Sequence, residues 1–101
     1  MTTRFKSMYE NAKNNYISPT MIYVYDNVCY AIDNESIYKF NDEQIEKICE
    51  FVDSCIGHSD YISVYNLARY VIISINNGDS LEDIIKTSPS EFVESAIEYF
   101  A

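Results

Sequence analysis

Four carboxylates recur along one short stretch: Glu43, Glu46, Glu50 and Asp53 stand at i, i+3, i+7 and i+10. On a helix this spacing places all four on one face, with successive groups ~5–6 Å apart. Phosphates recur every ~3.4 Å of axis along a nucleic-acid strand, and somewhat farther apart in space. The chemistry open to such a row is electrostatic: it can occupy a basic channel built for nucleic acid. The plainer reading is a solvated helix face. Lys47 is the single base among the four, so like charges repel by about 0.2–0.5 kcal/mol per pair with little relief.

Tyrosine is the second candidate. Ten of the 101 residues are tyrosine and none is tryptophan. Residues 21–25 and 28–32 carry strand signals around Asp26-Asn27, a two-residue hairpin turn. In that register Tyr23, Tyr25 and Tyr30 share one face. The smaller Ile22, Val24, Cys29 and Ala31 share the other. If the small face packs inward, the tyrosines form an exposed interface with large rigid rings and hydroxyls. If the tyrosine face packs inward, they are core, and pattern alone does not choose between two apolar faces.

Other constellations lead to bland readings. Cys49, Cys55 and His58 have the spacing C-x5-C-x2-H, which is not a zinc signature. His58-Ser59-Asp60 holds the residue types of a triad, but sequence neighbours do not build one. No P-loop, dinucleotide glycine pattern or H-E-x-x-H occurs, and one histidine leaves little acid–base chemistry near neutral pH. The expectation is a non-enzymatic protein with no cofactor and no metal site. Residues 61–100 have the outline of a helix-turn-helix. The candidate recognition helix carries Glu91, Glu94 and Glu98 and no base, which excludes DNA binding through it.

These side chains need elements to hold them. The apolar stretch 61–77 reads as a central helix, with Tyr61, Val64, Tyr65, Leu67, Ala68, Val71, Ile72 and Ile75 on one broad face. Ser59 or Asp60 caps it and Gly78 stops it. Residues 3–16 read as an amphipathic helix carrying Phe5, Met8, Tyr9, Ala12 and Tyr16. A third strand is expected over 36–40. Asn41 opens the helix of the acidic row, with Gln44 completing a near capping box and Gly57 stopping it. That helix has an apolar stripe of Ile45, Ile48, Cys49, Val52, Cys55 and Ile56. Ser80 caps a short helix, and Ser88-Pro89 with Glu91 opens the last. The expected fold is therefore α+β. An N-terminal helix precedes a three-stranded antiparallel sheet (about 21–40), and four helices follow around the central one, in a single domain over 1–101.

Charge narrows the function. Acids outnumber bases 16 to 7, for a formal charge of −9. Residues 1–40 hold four of each, so the whole excess lies in 41–101. Such a field repels nucleic acid and anionic membrane and attracts basic protein. Three cysteines, an odd number, fit free thiols in a reducing compartment. No apolar leader or spanning run is visible, so a cytoplasmic protein is expected. In size and charge the chain resembles the small acidic inhibitors that phages encode against host defence, anti-CRISPR proteins among them. That likeness is one of composition and carries no motif. It implies occlusion of a partner's basic surface, with Glu43, Glu46, Glu50 and Asp53 as the charge row and Tyr23, Tyr25 and Tyr30 as anchor. The alternative is a homodimeric interaction module, using Ile62, Tyr70 and Ile73 on the back of the central helix.

Overall fold

The computed structural model describes residues 19–101. The helix expected over 3–16 lies outside them. Five helices form among the described residues: α1 (Pro19–Glu35), α2 (Asp42–Cys55), α3 (Val64–Asn76), α4 (Leu81–Lys86) and α5 (Pro89–Phe100). No strand occurs among them, so the expected α+β fold is replaced by an all-helical one.

The correction falls on residues 21–40. Val24, Val28 and Ala31 are fully buried, and Tyr25, Cys29 and Ile32 are buried beside them. Each set steps i, i+4, i+7, which is a helical ridge rather than a pleat. The outer side repeats with the same period: Tyr23, Asp26, Tyr30 and Asp33 are exposed at i, i+3, i+7 and i+10. Apolar residues are so dense here that a period of two is satisfied by accident. Asp26-Asn27 is no turn; the Asn27 side-chain amide donates to the Tyr23 carbonyl at 2.9 Å within the helix. Valine, isoleucine and tyrosine favour strands, and burial against two other helices outweighs that preference.

Residues 36–41, where the third strand was expected, form an irregular connector. The Ser36 hydroxyl donates to the Tyr38 carbonyl at 2.6 Å and accepts from the Tyr38 N–H at 3.1 Å. Phe40 is buried and anchors the connector, while Ile37 and Tyr38 stay exposed.

From Asn41 onward local chemistry and structure agree closely. Asn41 and Gln44 form a full capping box: the Asn41 side chain accepts from Gln44 N–H at 2.8 Å, and Gln44 reaches back to Asn41 N–H at 2.9 Å. Gly57 and Gly78 have φ of +97° and +110°, a left-handed conformation that glycine adopts freely. Ser80 caps α4, its hydroxyl accepting from Asp83 N–H at 3.1 Å. Two caps differ from expectation. α3 starts at Ser63 rather than Ser59 or Asp60, and Tyr61 is left in solvent. Ser88 sits at the N-cap of α5, but its hydroxyl meets Ser90 at 3.1 Å and caps no backbone N–H.

The hub is α2, not the stretch 61–77. α2 packs on each of the other four described helices, whereas α3 packs chiefly on α1, α2 and α5. Ile45, Ile48, Cys49, Phe51, Val52 and Cys55 form its buried stripe. Ile56, expected in that stripe, is partly exposed past the helix end. The reason is amphipathicity: α2 has one clean polar face, so the opposite face can be covered on all sides.

Candidate partner-binding surfaces

The acidic row occupies the polar face of α2. Glu43, Glu46 and Glu50 are exposed and Asp53 is half-exposed. Lys47 is the base among them, and it sits between two acids. Its Nζ lies 3.5 Å from Glu43 and 3.9 Å from Glu82 of α4. Both carboxylates remain largely in solvent, so these ion pairs contribute little to stability. One lysine shared between two acids leaves the face negative.

Glu46 and Glu50 border α1. Their charge reaches Tyr25, whose hydroxyl pKa is pushed up to about 12, first by burial and then by electrostatic interaction with the Cys49 thiol, the Glu46 and Glu50 carboxylates and the Cys29 thiol. A buried phenol beside carboxylates stays neutral across the physiological range.

The tyrosine triad does not hold together. On a helix Tyr23 and Tyr30 point within ~20° of each other, while Tyr25 points nearly the opposite way. Tyr23 and Tyr30 are 56% and 63% exposed, whereas Tyr25 is buried against α2. Of the three expected anchors, two are therefore available to a partner. Tyr23 lines a depression of about 410 Å³ together with Ile56, Asp60, Ile62 and Val64. Tyr30 packs on Tyr65 of α3, ring centroids 5.5 Å apart.

Tyr65 begins a second group that sequence reading missed. The Arg69 guanidinium lies 5.8 Å from the Tyr65 ring and 5.0 Å from the Phe100 ring. Its Nε donates to Glu35 at 2.8 Å and its Nη1 to Asn66 at 3.2 Å. Phe100 continues to Tyr99 at 5.0 Å, Tyr99 to Tyr70 at 5.4 Å, and Tyr70 to Phe92 at 5.1 Å. Phe92 then meets Phe51 of α2 edge-on at 4.9 Å. The signal was present in the i, i+4 spacing of Tyr65 and Arg69 and in the aromatic end of α5. Ile62 and Tyr70, which motivate a homodimer, pack on the core, and Ile73 is half-buried.

The remaining candidates stay apart. Cys49 and Cys55 are buried while His58 is exposed. No group of three metal-ligating side chains occurs among the described residues. Burial pushes the Cys55 thiol up to about 11, partly offset by a hydrogen bond with Ser54, and pushes Cys49 up as well. Thiols so placed are protonated and inert. His58, Ser59 and Asp60 lie in the α2–α3 connector, where the Ser59 hydroxyl accepts from Tyr61 N–H at 3.0 Å. No described helix is long and apolar enough to cross a membrane.

Comparison with protein-family models, with curated proteins and with solved structures finds no match to this chain.

Proposed function

We propose that this chain is a non-enzymatic acidic binding protein that occludes a basic, nucleic-acid-binding surface of a protein partner, in the manner of the small phage inhibitors of host defence. One observation carries the reading. Glu43, Glu46 and Glu50 stand exposed in a row on a helix whose other face is locked into the core, with one lysine beside them. A rigid row presents its charge without the ordering cost that a flexible acidic tail would bear on binding. Tyr23 and Tyr30 supply the aromatic contacts, and Tyr25 has no part in them because it is buried.

The test is charge reversal. Proteins retained by the immobilised wild-type chain should be released by free duplex DNA and by salt near 1 M, where the Debye length falls to ~3 Å. The triple variant E43K/E46K/E50K should keep its helical circular dichroism and retain none of them. Retention unchanged by the triple variant would sink the reading.

A further inference from the structure

The outer face of α1 differs in kind from that of α2. Tyr23, Asp26 and Tyr30 alternate ring, carboxylate and ring along it, all exposed. The two rings stand ~10 Å apart along the axis, seven residues at ~1.5 Å each. Asp60 joins Tyr23 around the depression at one end, and Tyr65 backs Tyr30 at the other.

The molecule itself shows what such a combination holds. Arg69 lies over the faces of Tyr65 and Phe100 and donates to a carboxylate, Glu35, at 2.8 Å. A guanidinium is planar and weakly hydrated, so it stacks on a ring while its edge pairs with an acid; an ammonium does this less well. Tyr30 lies against Tyr65, next to that intramolecular example, with its outer surface in water.

We propose that the Tyr23–Asp26–Tyr30 face of α1 is a docking site for an arginine-bearing segment of the basic partner. This rests on the occlusion reading above and adds its residue specificity: α2 supplies attraction to any cation, and α1 selects arginine. Two arginines three residues apart in a polyproline-II segment, which has three residues per turn, lie on one side of it and span ~9 Å, close to the spacing of the two rings. Charge complementarity favours that occupant over a second copy, since two chains of formal charge −9 repel.

The experiment titrates the full, isotopically labelled chain with hexa-arginine and with hexa-lysine at low salt, followed by NMR. The wild type should bind the arginine peptide about tenfold more tightly, with shifts at Tyr23, Asp26 and Tyr30. Y23A/Y30A should erase that preference, and Y23F/Y30F should restore it. E43K/E46K/E50K should weaken both peptides alike and leave their ratio intact. Equal affinity of the wild type for the two peptides, or a preference that survives in Y23A/Y30A, would overturn the proposal. So would concentration-dependent shifts of the same residues without peptide, which would assign the face to a second copy. Loss of arginine preference alone leaves the α2 row standing, whereas an E43K/E46K/E50K variant that binds both peptides undiminished fails the occlusion reading.

Discussion

α1 has two flanks, and they are built differently. Toward α2 the contact is apolar: Tyr25, Cys29 and Cys49 are buried, and near enough that ionising one would oppose ionising the next. Toward α3 the contact ends in polar fasteners. Asn76 donates to the Glu35 carbonyl at 2.7 Å and accepts from Ile37 N–H at 3.1 Å, so one side chain closes the open end of α1 onto α3. Glu35 also holds Arg69. An apolar contact contributes free energy through burial but is tolerant of sliding, because dispersion is non-directional. The polar fasteners themselves contribute less than the apolar contact they close, and they fix the register, because hydrogen bonds are satisfied in one alignment only. Burial thus stabilises both sides of one helix, and alignment is set at the end of the side that faces α3.

Substitutions should separate the two. Ile48→Ala removes a fully buried side chain from α2 and should cost about 2–5 kcal/mol in chemical denaturation. The core around Tyr25 and Cys55 should also weaken in alkali. Tyr25 is raised from 10.0 to about 12 and Cys55 from 9.0 to about 11. Both folded forms favour the proton, so their contribution is whole below pH 9 and is lost as pH climbs through 11 to 12. Tyr25→Phe should flatten the part of that decline above pH 10, read from denaturation midpoints. At the polar end of the α3 flank, Asn76→Ala should cost about 1–2 kcal/mol and broaden the NMR signals of residues 35–40, since two backbone groups lose their partner. Arg69→Lys should cost least, about 0.5–1 kcal/mol, by losing its stacking over Tyr65 and Phe100. If Asn76→Ala proved as damaging as Ile48→Ala, the division of labour between burial and the polar fasteners would be wrong.

Legibility in the sequence follows the same divide. From Asn41 onward it was high, because caps and glycine stops act within a few residues and need no tertiary context. Asn41, Gln44, Gly57, Gly78 and Ser80 all take their expected places. Over 21–40 it was low. There the segment is apolar on too many sides for one period to stand out, and strand-favouring residues invited a hairpin. The decisive fact, that Val24 and Val28 meet other helices, is long-range. The acidic row was legible since it depended only on α2 being a helix. The tyrosine triad was not, because grouping Tyr25 with Tyr23 and Tyr30 required a pleat.

Cys29, Cys49 and Cys55 are each no more than 1% exposed, and none is bridged. Such a molecule carries its own clock for opening. A thiol-directed alkylating reagent added to the native chain finds all three thiols covered, so each cysteine modification records one excursion in which a helix lifted away. Cys29 times the departure of α1, and Cys55 the fraying of the carboxyl end of α2. Mass spectrometry of the alkylated peptides would therefore rank the partial unfolding events without any engineered label.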